Sequence, residues 1–178
     1  STLSGICSKI EDDDYMYYRK VVNFPKGFVK NRVILHIDAA DQFSCVYVNR
    51  QLVTKSINGY LPIVVDIKPF LKEKDNEIII QVMDKLDHNY PYGKQRKDRG
   101  GMWYTPVSGI WQSVWLESVG EHYVEELTIT PDIDNNEVNI VINSTSNHYI
   151  VKIYAQEKLI YKEKKGNGIF KVKIDNPT

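Results

Sequence analysis

The sequence predicts an all-β protein made of two sandwich-like units. Apolar residues recur at every second position, or run continuously for four to six positions, and short turn signals separate these segments. No stretch shows the three-and-four spacing of an amphipathic helix.

Tyr15 to Phe24 reads as a strand that ends at the turn Pro25-Lys26-Gly27. In 32–38 the residues Val33, Leu35 and Ile37 share one side. In 43–49, Phe43, Cys45 and Tyr47 take one face and Val46 and Val48 the other. A turn at Asn49-Arg50 leads to another short strand, and 61–67 forms a further one. Residues 68–76 hold one helical turn at most. In 77–84, Ile78, Ile80 and Val82 are in phase. Periodicity lapses from Lys85 to Pro106 and returns in 109–117. That last segment reads as one inner strand. Ile110, Gln112, Val114 and Leu116 lie on one face, and Trp111, Ser113 and Trp115 on the other, with both tryptophans expected in the core or at a domain interface. After Gly120, five short strands follow at roughly ten-residue spacing, joined by turns at 134–136, 144–147, Gln156-Glu157 and 166–168. The expected units are residues 1–119 and 120–178. The second is short for an independent sandwich and is expected to be incomplete at its C-terminal end.

Composition narrows the function classes. With 42% hydrophobic residues the chain can bury a core, so it is not a disordered segment. Its 23 basic and 23 acidic side chains cancel, which argues against nucleic acid as a partner. No apolar run reaches the length of a membrane span, and no leader-like segment opens the chain. Cys45 reads as a small buried apolar residue, and its pairing with Cys7 is left open. No Cys or His pair has metal-ligand spacing, so neither a structural zinc nor a cofactor is expected. The acidic run Glu11–Asp14 reads as a solvated turn rather than a cation loop.

The aperiodic segment is the candidate site. A stretch of roughly twenty residues without regular structure is uncommon in a compact domain and is usually functional when ordered. This one sets aromatic rings beside Lys94, Arg96, Lys97 and Arg99, with Gly100-Gly101 as a hinge. Rings offer flat apolar faces to the C–H side of a sugar, and in-plane donors and acceptors meet its hydroxyls. The residues expected to bind carbohydrate are Tyr90, Gln95, Arg96, Asp98, Arg99, Trp103 and Tyr104. The alternative is a solvated basic loop clasped onto the sandwich by its aromatics. No catalytic pair of carboxylates is assigned.

The ordered motifs LSGI (3–6), DDYMYYRKVVNFP (13–25), RVILHIDAAD (32–41), VYVNRQLVTKSINGYLPIVVDI (46–67), DNEIIIQVMD (75–84), YPYGKQ (90–95) and GGMWYTPVSGIWQSVWLE (100–117) resemble the N-terminal region of glycoside hydrolase family 2, the β-galactosidase, β-glucuronidase and β-mannosidase group. The resemblance implies a galactose-binding-domain-like jelly-roll β-sandwich, followed by the start of an immunoglobulin-like sandwich. It implies a non-catalytic, sugar-binding region that braces a C-terminal (β/α)8 barrel and shares a β-glycoside substrate with it. The barrel would carry both glutamates of a retaining mechanism, so this chain alone is expected to be inactive. A self-sufficient carbohydrate-binding module and a purely structural interaction domain remain the alternatives, and homo-oligomerisation through the parent enzyme is left open. The family's usual VNG stands here as Val48-Asn49-Arg50, its GGY as Asn58-Gly59-Tyr60, and the acidic residue before its Met-Trp pair as Gly101.

Overall fold

The computed structural model describes residues 10–98, 100–155 and 157–174. Among them lie fourteen strands and one short 3-10 turn, Lys68–Phe70. The chain divides into two compact units, one ending at Ser118 and the other beginning at Val119.

In the first unit the strands are β1 (Tyr15–Val22), β2 (Arg32–Ile37), β3 (Ala40–Asp41), β4 (Phe43–Val48), β5 (Gln51–Ser56), β6 (Ile63–Asp66), β7 (Asn76–Met83), β8 (Gly109–Ile110) and β9 (Val114–Val119). They build a four-stranded sheet ordered β1-β7-β4-β5, a three-stranded sheet ordered β6-β2-β9, and a two-stranded ribbon of β3 and β8. The core lies between the two larger sheets. Val33, Leu35 and Ile37 of β2 meet Val46 and Val48 of β4 and Ile78, Ile80 and Val82 of β7, all buried. The period-two phasing of these three strands decides which face is covered. Burying each such side chain stabilises the fold by about 1.5–3 kcal/mol.

Three expectations need correction. Segment 109–117 is not one inner strand. Gly109–Ile110 pairs with β3, whereas Val114–Val119 is the edge strand beside β2. Backbone bonds from Trp111 N–H to the Ala39 carbonyl (3.3 Å) and from Asp38 N–H to the Ser113 carbonyl (2.9 Å) hold the bend between them. Of the two places expected for Trp111 and Trp115, the core is ruled out, for they are 43% and 44% exposed. Each indole N–H has found an acceptor: Trp111 donates to the carbonyl of buried Gly59 at 2.9 Å, and Trp115 donates to Asp38 at 3.1 Å while its ring stacks on His36. Cys45 is only half-buried and carries a free thiol, because it shares the outer face of β4 with Phe43 and Tyr47.

The turn between β4 and β5 shows how a departure from the family pattern is absorbed. Val48 pairs with Gln51, leaving a two-residue loop in which Asn49 and Arg50 take φ of 50° and 69°. Both central residues of such a loop must be left-handed, so Arg50 adopts a conformation that suits glycine better. Buried Asn49 holds it there. Its side-chain amide donates to the Phe70 carbonyl (2.7 Å) and to Asn76 (3.0 Å), and its oxygen accepts the Glu77 N–H (3.1 Å). Arg50→Gly should therefore raise the stability of the unit by about 1 kcal/mol in urea titrations, after allowance for glycine's larger unfolded-state entropy. A loss of stability would contradict this account of the turn.

One end of the core is polar. Asp41, Gln42, Ser44 and Asp84 are all buried. Burial first, and then the nearby Asp84 carboxylate, push the Asp41 pKa from 3.8 to about 6. Burial also raises Asp84, against the Ser108 hydroxyl that donates to it. Between pH 3.8 and about 6 the folded carboxyl of Asp41 keeps a proton that the unfolded one has released. The folded state then binds more protons, so stability should fall as pH rises through that window and stay low above it. Asp41→Asn should flatten this slope and be the more stable protein at pH 7; an unchanged slope would contradict the assignment.

The second unit contains β10 (Val124–Asp132), β11 (Glu137–Ser144), β12 (Tyr149–Ala155), β13 (Lys158–Lys165) and β14 (Gly168–Lys173). A three-stranded antiparallel sheet ordered β10-β11-β14 and an antiparallel pair β12-β13 enclose Ile140, Ile142 and Val172, with Tyr149, Val151, Ile153 and Phe170 packed against them. Of the turn expected at Gln156-Glu157, Gln156 lies outside the described residues, while Glu157 is left-handed with φ 67°.

Candidate functional site

The long connection between β7 and β8 is ordered by its own polar groups. Gln95 is its clamp: the side-chain N–H donates to the Tyr92 carbonyl at 2.8 Å, and the side-chain oxygen accepts the Val107 N–H. Arg96 N–H donates to the Tyr104 carbonyl (3.0 Å), and Tyr104 N–H to the Lys94 carbonyl (2.8 Å), so the two arms of the loop meet at one isolated parallel bridge between Gln95 and Tyr104. At the base, Tyr90 packs edge-on against Phe43 at 5.0 Å, and Ser108 bonds Asp84 at 2.7 Å. Gly101 turns the tip at φ 58°, a conformation glycine takes without a Cβ penalty.

These contacts shape a cleft of 310 Å³ at that end of the sandwich. Half-buried Trp103 forms part of its wall, and the Arg96 guanidinium lies over the indole at 4.7 Å. Stacking of this kind holds a flexible cation in one place and keeps its edge free for hydrogen bonds. His88 and Tyr92 face each other as rings and share a hydrogen bond of 2.8 Å between the Tyr92 oxygen and His88 Nδ1. Lys97 is bound to Asp12 at 2.6 Å, and outside the cleft Lys85 is bound to Asp13 at 2.9 Å. Both lysines are held more firmly protonated by these acids, through hydrogen bonding first. The acidic turn, closed by the Asp14 N–H on the Glu11 carbonyl at 3.0 Å, thus straps the basic loop onto the sandwich.

Of the residues expected to bind sugar, Gln95, Arg96 and Trp103 come together in the cleft. Both ends of the Gln95 amide are already engaged, so it shapes the cleft more than it offers groups to a ligand. Tyr90, Asp98 and Tyr104 stand outside the lining, and Arg99 lies outside the described residues. Asp12, Leu86, His88, Tyr92 and Lys97 line the cleft and were not expected to. The four-residue spacing of His88 and Tyr92, and the matched charge runs at 11–14 and 94–97, are the sequence features that could have drawn attention to them.

A larger groove, 570 Å³, opens along the seam between the edge strands β1 and β9. It is walled mainly by apolar side chains such as Leu35, Ile78, Ile80 and Leu116, with Tyr18, Arg19 and Lys20 of β1 also in its lining. The smaller cleft, with its ring, cation and hydrogen-bonding edges, is the one chemically suited to a hydroxylated ligand.

Comparison with known proteins bears on the family and the fold. The profile described as glycosyl hydrolases family 2, sugar binding domain, matches residues 8–119. A putative β-glucuronidase of Formosa agariphila is 30% identical over 115 residues, covering 64% of this chain and 13% of that protein. A β-galactosidase of Thermoanaerobacter pseudethanolicus is 22% identical over 187 residues, covering 94% of this chain and 24% of that protein. Among solved structures, β-D-glucuronidase from Dictyoglomus thermophilum superposes with a TM-score of 0.69 at 25% identity, over 92% of this chain and 31% of that one. The β-glucuronidase of Ruminococcus gnavus gives 0.70 at 20% identity, over 89% and 30%. This chain therefore spans about a quarter or less of the length of these two curated relatives.

Proposed function

We propose, from the premise that this chain belongs to the glycosyl hydrolase family 2 sugar-binding-domain family, that it is the non-catalytic region bracing the barrel of a retaining β-glycosidase. Its first unit is the sugar-binding jelly roll, and its second is the beginning of an immunoglobulin-like sandwich. The cleft of Arg96, Trp103, Tyr92 and His88 forms one edge of the substrate site, and the barrel supplies the two carboxylates of the reaction. The observation that carries this reading is the ordered loop itself. Its aromatic wall, cation and polar rim are gathered at one end of a rigid sandwich, which is where a neighbouring domain can share a ligand.

An edge of a shared site binds weakly by itself. Titration of the 178-residue chain with nitrophenyl β-glycosides should give saturable binding in the millimolar range, about −4 kcal/mol. It should give no hydrolysis. Turnover that survives repurification would contradict the division of labour. Micromolar affinity without turnover would favour a self-sufficient binding module.

A further inference from the structure

We propose that the outer face of β1 and β7 is a second carbohydrate surface, which carries the onward units of a β-linked oligosaccharide whose end lies in the cleft. The inference rests on the sugar-binding reading of the cleft and adds a ligand class to it, an extended neutral sugar chain.

The alternation that buries Ile78, Ile80 and Val82 turns their neighbours outward. Tyr15 pairs with Met83, Tyr17 with Gln81 and Arg19 with Ile79, so these side chains share the outer face. Tyr15 is 52% and Tyr17 64% exposed, and their rings lie 6.4 Å apart. The Tyr17 ring is anchored across three strands. The Gln81 side-chain N–H donates to the Tyr17 oxygen at 3.0 Å, and the Tyr47 hydroxyl of β4 donates to the Gln81 oxygen at 3.4 Å. Anchoring of this kind reduces the side-chain entropy lost when a ligand settles on the ring. Because the Tyr17 oxygen accepts from Gln81, its hydrogen can be donated to a sugar hydroxyl. The charges along the strand are matched in pairs: Arg19 is bound to Glu77, and Lys85, just beyond β7, to Asp13 at 2.9 Å. The face therefore presents ring surfaces and neutral hydrogen-bonding groups, which suit a neutral hydroxylated chain better than an anionic one.

This face starts beside the cleft. The consecutive residues Asp12 and Asp13 bind Lys97, which lines the cleft, and Lys85, which stands two positions after Met83. Tyr15 follows Asp13 by two positions. At the same end Phe43 of β4, the partner of Met83, packs edge-on against Tyr90 of the loop at 5.0 Å. A chain that leaves the cleft across the acidic turn meets Tyr15 first, then Tyr17 and Gln81.

The test titrates the full 178-residue chain by calorimetry. It compares the nitrophenyl β-glycosides of galactose, glucose and mannose with the β-1,4-linked tetrasaccharides of the same sugars. At least one tetrasaccharide should bind about tenfold or more tightly than its monoglycoside. Tyr17→Ala should abolish that gain and leave monoglycoside affinity and Tm unchanged, because Tyr17 is outside the cleft lining and largely exposed. Trp103→Ala should weaken both ligands. Backbone amide shifts at Tyr17 and Gln81 should move with the tetrasaccharide and stay still with the monoglycoside. Monoglycoside binding without a gain for any tetrasaccharide would overturn this inference and leave the reading of the cleft standing; no binding of either would overturn both. A gain that survives Tyr17→Ala would also overturn it. So would dimerisation of the chain that Tyr17→Ala abolishes, since a second copy would then cover the face.

Discussion

Asn76→Ala should cost the first unit about 3 kcal/mol, lowering its Tm by about 10 °C. Asn76 is completely buried, yet every polar atom of its side chain is used. Its oxygen accepts the Lys72 N–H at 2.7 Å and the Asn49 amide at 3.0 Å, and its own amide donates to the Lys72 carbonyl at 3.0 Å. Through Asn49 the same network reaches the Phe70 carbonyl and the Glu77 N–H, so it ties the 3-10 turn, the start of β7 and the β4–β5 hairpin together. Alanine removes three hydrogen bonds of about 1 kcal/mol each and strands buried Asn49 with fewer partners. Asn76→Asp at pH 7 should be at least as harmful, because it buries a charge beside Asn49 and loses the donor to Lys72. Urea denaturation at constant m-value measures both. A loss below about 1 kcal/mol for alanine would show that the network is not a principal fastener.

Trp103→Ala should weaken binding of β-glycosides to the isolated chain about tenfold, about 1.4 kcal/mol, with little change in Tm. The indole is half-buried in the cleft wall and is also the surface on which Arg96 rests at 4.7 Å. Its removal takes away the apolar face for the sugar and releases the guanidinium into many rotamers. Trp115→Ala is the matched control. That ring is also part-exposed, but it stacks on His36 and bonds Asp38, away from the cleft lining. The control should bind like the unmodified chain. Equal losses from both substitutions would show that the effect is not local to the cleft.

The strands that carry the core were legible because one face of each is buried, and burial of one face imposes the alternation seen at 33–37, 46–48 and 78–82. The run 109–117 misled for the opposite reason. Two short strands with different partners abut without a glycine or proline between them, so their combined apolar content reads as one inner strand. The exposed tryptophans show that a large ring with a donor can be held at the surface by one acceptor and one stacking partner. At the cleft, the aromatic and basic content of the loop marked the right segment, but not which side chains converge. Asp12 meets Lys97 across 85 positions, and Gln95 spends its amide on the backbone. The polar end of the core was invisible in sequence because Asp41-Gln42, Asp84 and Ser108 come from three separated segments.

The most direct measurement is a map of backbone amide shifts in the isotope-labelled chain as a nitrophenyl β-glycoside is titrated in. Perturbations that saturate together at Leu86, His88, Tyr92, Arg96, Lys97 and Trp103, and fade toward the far end of the sandwich, are the expected result. Perturbations centred on the β1–β9 groove or the outer sheet faces, with those six residues silent, would contradict the account.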